Sequence, residues 1–93
     1  MVSAEYREEA KKTLERLKWH ERRLHAAVVW YLDDERRNTS RVLGEDIHTL
    51  DPDAILVGSR KRPLRIRYDR IYRIATPEGV LFERPPRTVE AER

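Results

Sequence analysis

Apolar positions along the chain fall into two regimes. From Ala4 to about Trp19 they recur with helical spacing. Tyr6, Ala10, Leu14 and Leu17 share an arc of about 80° at 100° per residue, while Glu8, Glu9, Lys11, Lys12, Glu15 and Lys18 lie outside it. Ser3 is the expected N-cap. Acids crowd the first turns and lysines follow, the order a helix dipole favours, and Glu8 and Lys12 are spaced to pair. The helix is therefore expected to end near Trp19 or His20, although Leu24 would continue its stripe.

Beyond it the spacing shortens to that of strands. His25 to Leu32 is rich in Val and aromatics and reads as a strand buried on both faces in its middle. Asp33 to Ser40 holds no apolar residue and is expected to be a loop or an exposed hairpin. Further strands are expected at Ile47–Leu50 and Ala54–Val57, separated by the Asp51-Pro52-Asp53 turn. After a basic turn over Gly58–Pro63, Leu64 to Tyr68 alternates: Leu64, Ile66 and Tyr68 on the core face, Arg65 and Arg67 on the other. Ile71 and Ile74 are three apart, so a bulge or short helical turn is expected at Asp69-Arg70. A last strand, Val80–Arg84, follows the Pro77-Glu78-Gly79 turn. Pro85-Pro86 ends it, and residues 87–93 read as a solvated tail. The expected architecture is a single α+β domain over residues 1–86. It has an N-terminal amphipathic helix followed by a small, mostly antiparallel sheet of about five short strands.

Composition narrows what such a domain can do. At 93 residues, 39% apolar and 40% charged, the chain is one small domain. The longest apolar run, Ala26 to Leu32, is too short to span a membrane, and the N-terminus lacks the pattern of a signal peptide, so a cytoplasmic protein with no membrane partner is expected. With no cysteine, disulfides, thiolate catalysis and cysteine zinc sites are excluded. The net charge of +3 is unevenly spread. Residues 1–59 carry 10 basic and 12 acidic groups, residues 60–74 carry 7 and 1, and residues 75–93 carry 3 and 4. Of the 20 basic residues 16 are arginine, whose planar fork suits phosphate oxygens and stacks on flat rings. The same richness in Arg and Glu also builds the surface ion networks of heat-adapted proteins.

Enzymatic constellations are weak. His20, His25 and His48 lack the i, i+4 spacing that places two imidazoles on one helix face. Asp33-Asp34-Glu35 could hold a divalent cation through oxygens, yet adjacent acids in a polar loop are more often solvated. His48-Thr49 occurs once, whereas a paired His-x-Thr phosphodiesterase needs two imidazoles around the phosphate. The three glycines are scattered and make no phosphate loop. The basic window is the better signal. Arg65 and Arg67 would stand about 7 Å apart on one strand face. Arg60, Lys61 and Arg62 extend them along the preceding turn, making a surface for phosphates unless the arginines pair with Asp33, Asp34, Glu35, Glu45 and Asp46. Stacking platforms would turn an anion site into a nucleic-acid site. Trp30 and Tyr31 point to opposite faces of one strand, so one could be exposed. Tyr72, between Arg70 and Arg73, is the first choice, whereas Trp19 is expected to staple over the core.

The order of landmarks resembles a known family. Leu17-Lys18-Trp19, a strand ending at Tyr31, Gly44-Glu45-Asp46-Ile47, Ile66-Arg67-Tyr68-Asp69-Arg70-Ile71 with Ile74, and Gly79-Val80-Leu81-Phe82-Glu83-Arg84 look like the largely archaeal RNA cyclic-group-end recognition domain of RNA repair. The resemblance spans about residues 14–86. Trp19, Gly44, Asp46, Ile47, Ile66, Tyr68, Arg70, Ile71, Gly79 and Arg84 match the family pattern. Asp33-Asp34 stands where that pattern has His-Arg, Asp69 replaces its second His, Arg67 its Pro and Phe82 its Trp. The resemblance implies recognition of RNA ends bearing a 2′,3′-cyclic phosphate or similar group, and the acids put any contact made by the family's histidines in doubt.

The resulting expectation is an RNA-binding module for single strands or 3′ ends, with no catalytic residue, metal or cofactor. Its expected site is Arg60, Lys61, Arg62, Arg65, Arg67, Arg70 and Tyr72, joined by Arg36, Arg37 and Arg41 from a facing loop. The alternative is an Sm-like or SH3-like protein-interaction module docking an acidic partner on the same basic strand, and exposed edge strands would also make a homodimer easy to form. A metal-dependent hydrolase of RNA termini, using Asp33, Asp34 and Glu35, is a third and weaker reading.

Overall fold

The computed structural model of the protein describes residues 4–33 and 38–84. Helix α1 (Ala4–Glu15) carries the expected stripe, with Ala10 and Leu14 fully buried, and Leu17 just beyond it is fully buried too. It runs on into a wider π-helical turn, Arg16–His20, in which the Glu21 N–H donates to the Arg16 carbonyl at 3.0 Å. The chain reverses at Arg22, a non-glycine residue in the left-handed region with φ 53°. A single 3₁₀ turn, Leu24–Ala26, then places Leu24 in the core, so the first strand begins three residues later than the Val-rich pattern suggested.

Among the described residues seven strands follow, where about five were expected. They are β1 (Val28–Asp33), β2 (Asn38–Leu43), β3 (Ile47–Leu50), β4 (Ala54–Val57), β5 (Leu64–Arg67), β6 (Ile71–Thr76) and β7 (Gly79–Glu83). They form a four-stranded sheet in the order β2-β1-β6-β7 and a three-stranded sheet in the order β3-β4-β5, with every adjacent pair antiparallel. The polar stretch after β1 is thus half strand: β2 pairs with β1 from Asn38 to Leu43. It sits at a sheet edge and packs Val42 against the core while Leu43 faces solvent, which leaves it no apolar alternation.

Strand β6 was hidden by a bulge. Trp30 lies opposite Arg73 and Tyr31 opposite Ile71, so Tyr72 is the extra residue and Ile71 and Ile74 are both buried although three apart. A separate 3₁₀ turn, Tyr68–Arg70, links β5 to β6. Both devices expected near Asp69-Arg70 are therefore present, in sequence.

The inner face of the four-stranded sheet supplies Val29, Ile71, Ile74 and Phe82 to the core, the three-stranded sheet supplies Ile55, Val57 and Ile66, and α1 packs its stripe onto them. Gly44 is forced by contact. A Cβ there would lie 1.8 Å from the Leu24 carbonyl oxygen, and its own N–H donates to the Ala27 carbonyl at 2.7 Å. At the helix end, Arg23 pairs with Glu78 in the β6–β7 turn. Leu64 departs from expectation. It opposes Val57 at the turn end of its ladder and is 48% exposed, so the core face of β5 holds Ile66 alone. Among the described residues no helix is long and apolar enough to cross a membrane. The expected tail at 87–93 lies outside the described residues.

Candidate nucleic-acid interface

The basic window begins in the turn between β4 and β5. Gly58 takes φ 85°, which an L side chain rarely adopts, and the Ser59 hydroxyl accepts from the N–H groups of Lys61 (3.1 Å) and Arg62 (3.4 Å). This local bonding shapes the turn with backbone groups and leaves the side chains out of it. Arg60, Lys61 and Arg62 are exposed, and so is Arg65 on the outer face of β5 opposite Leu56. Among the described residues none of these four side chains makes a hydrogen bond or ion pair. Among the described residues β5 is an edge strand with no neighbour on its outer rim.

The other end of the window is tied down. Arg67 Nη2 lies 2.8 Å from Asp69 Oδ2, and Arg70 Nε lies 4.0 Å from Asp69 Oδ1. Arg67 thus meets an acid of its own turn, and not Asp33, Glu45 or Asp46, the described acids among those the sequence offered as partners. Beneath this turn lies Arg84, only 2% exposed. Its Nε donates to the Ile71 carbonyl (3.1 Å), its Nη2 to the Asp69 carbonyl (2.6 Å) and its backbone N–H to the Tyr72 carbonyl (2.9 Å). Its guanidinium also stands 5.7 Å from the centre of the Tyr6 ring. Burial pushes the Arg84 pKa down and the nearby Asp69 charge opposes the shift.

Tyr68 anchors the same turn from the opposite side. Its hydroxyl donates to the Asp51 carbonyl at 2.8 Å and its N–H to the Asp53 carbonyl at 3.2 Å, fastening the β5–β6 turn to the β3–β4 turn. Burial, with the carboxylates of Glu15, Asp51 and Asp53, raises its pKa well above the usual phenol value.

Arg41 belongs to neither end. It lies in β2 of the four-stranded sheet, opposite Trp30 of β1, and Trp30 in turn lies opposite Arg73 of β6, which opposes Glu83 of β7. The Arg73 guanidinium covers the Trp30 ring at 4.9 Å from its centre. Tyr31, on the other face, packs against the core. Tyr72, the expected stacking ring, is half-buried at the bulge. Trp19 is not a staple: it is 64% exposed, because two residues of helical rotation carry it away from the buried Leu17, and Lys18 Nζ stands 4.9 Å from its ring centre. Arg36 and Arg37 lie outside the described residues.

The structure therefore leaves Arg60, Lys61, Arg62 and Arg65 exposed, ties Arg67 and Arg70 to Asp69, and places Arg41 on a different sheet. Sequence reasoning missed the Trp30–Arg73 contact and the buried role of Arg84. The first required knowing that β1 pairs with β6. Positions that carry the family resemblance are mostly architectural: Gly44, Ile47, Ile66, Tyr68, Ile71 and Arg84 are all buried. Among the described residues no three His, Asp or Glu side chains form a group able to hold a metal ion. No family model, curated protein or solved structure matches the chain.

Proposed function

We propose that the protein is a cytoplasmic RNA-binding module that recognises RNA ends carrying a cyclic phosphate or a phosphate terminus, in RNA repair or processing. The observation that carries this reading is the exposed set Arg60, Lys61, Arg62 and Arg65, whose side chains have no ion pair among the described residues. Exposed guanidiniums with unused donors bind phosphate oxygens in charge-assisted bonds worth about 1.5–3 kcal/mol each. Three or four such bonds supply micromolar affinity without base readout. The order of family motifs in the sequence supplies the preference for ends.

Fluorescence anisotropy at about 50 mM salt with short RNAs ending in cyclic phosphate, 3′-phosphate or hydroxyl tests the reading. A preference for phosphate ends is expected, with log K falling against log salt at a slope near −1.4 to −2, about 0.7 per phosphate of a single strand. Absence of binding to all three RNAs defeats the proposal, and equal affinity for all three removes the end recognition. The open edge of β5 favours a second reading, in which an acidic segment of another protein adds a strand beside Arg65 and Arg67. A partner retained by the protein after nuclease treatment of the extract supports that alternative.

A further inference from the structure

The outer face of the four-stranded sheet carries two cross-strand rows. One is apolar: Leu43, Val28, Ala75 and Val80 lie in register across the four strands. Leu43 is 44% and Val80 46% exposed, so this face is open where the opposite face is core. The second row is Arg41, Trp30, Arg73 and Glu83. A tryptophan thus sits on an open sheet between two arginines on the neighbouring strands, each strand about 4.8 Å away.

The cations of this row are incompletely satisfied. Arg41 is exposed and its side chain makes no hydrogen bond or ion pair among the described residues. Arg73 Nε has no hydrogen-bond partner, since Glu83 Oε2 stands at 3.7 Å. The Arg73 guanidinium already lies over the indole, 4.9 Å from its centre, which makes an aromatic and guanidinium surface beside an apolar strip.

We infer that this face is a base-stacking platform for single-stranded RNA, with Trp30 and the Arg73 guanidinium receiving a nucleobase and Arg41 a neighbouring phosphate. The inference rests on the RNA reading above and extends it from phosphate contacts to the base. Charge favours this occupant over a second copy of the chain. Two such faces packed together would oppose four guanidiniums with only the two Glu83 carboxylates, whereas a nucleotide supplies a flat ring and a negative charge together. Stacking on an aromatic side chain tolerates every base, so a preference for single strands is expected in place of a sequence code.

The chain has two tryptophans, so Trp19→Phe leaves Trp30 as the only indole reporter. Titration of this variant with a uridine hexamer bearing a 3′-phosphate, and with an abasic strand of equal length and charge, separates base from phosphate. Saturable quenching of Trp30 by the hexamer and little by the abasic strand is expected. Trp30→Leu should weaken hexamer binding about tenfold, within the range that loss of one stacked base produces. Arg41→Ala should weaken it about threefold with an unchanged melting midpoint, and this exposed substitution keeps the test valid if Trp30→Leu unfolds. Hexamer binding by anisotropy with unchanged Trp30 emission overturns the platform and leaves the end-binding reading intact. Equal quenching by the abasic strand overturns it too, as does quenching on self-association without RNA. No anisotropy change with any RNA removes the end-binding reading, and this inference with it.

Discussion

The two ends of the basic window, separated only by Ile66, have opposite fates. At residues 60–65 the side chains of Arg60, Lys61, Arg62 and Arg65 reach solvent from a turn whose shape is set by Ser59 and Gly58. At residues 67–70 the arginines converge on Asp69, in a turn clamped from below by Arg84 and from the side by Tyr68. Similar residues at similar density therefore do different work. The first end offers donors to a ligand, and the second fixes the path of the chain between the two sheets. Charge counted along a sequence measures neither; what decides is whether an acid and a buried backbone carbonyl lie within reach.

The largest expected effect falls on the clamped end. Arg84→Met removes donors from the Ile71 and Asp69 carbonyls inside the protein and should cost about 3 kcal/mol, seen as a lower urea midpoint. Full stability in that variant would mean that the clamp is not what holds the turn. The open end should respond the other way. Arg62→Ala combined with Arg65→Ala is expected to weaken binding of a 3′-phosphate RNA at least tenfold, about 1.4 kcal/mol. Stability in the same variant should stay within about 0.5 kcal/mol.

Tyr68→Phe should cost about 1 kcal/mol at neutral pH by deleting one hydrogen bond to the Asp51 carbonyl. Its pH dependence sharpens the point. The Tyr68 phenol ionises at higher pH in the fold than in the unfolded chain, so its contribution is complete below the ordinary value of 10.0 and declines as pH rises above it. Urea midpoints of the parent should therefore fall more steeply above pH 10 than those of Tyr68→Phe. The smallest effect is expected from Asp69→Asn, which releases Arg67 toward solvent. A two- to threefold gain in RNA affinity and a salt slope steeper by about 0.7 are expected if the released guanidinium reaches a phosphate.

Much of this fold was legible in periodicity. The helix stripe, β3, β4, β5 and the turns between them follow spacings that one buried face imposes. Strand β2 was legible only as one arm of the exposed hairpin offered as an alternative for Asp33–Ser40, and β6 was not legible, for physical reasons. An edge strand with only Val42 packed against the core leaves no alternation to read, and the bulge at Tyr72 puts Ile71 and Ile74 on one face at a spacing that imitates a helix. The candidate site was legible as a window and not as a division. The exposure of Arg65 followed from alternation with Ile66, but the pairing of Arg67 with Asp69 depends on a 3₁₀ turn whose tightness the sequence only hinted at. The Trp30 row was invisible because its four members come from four strands. Arg84 was read only as the last residue of a strand and a match to the family pattern, and its contacts with two carbonyls of the β5–β6 turn reveal it as part of the core.

The most direct test of the division between the two ends is a side-by-side anisotropy titration of a cyclic-phosphate RNA with the Arg62→Ala, Arg65→Ala pair and with Arg67→Ala alone. Loss of at least tenfold in the first and less than twofold in the second is the predicted result. A larger loss from Arg67→Ala than from the double variant would contradict it.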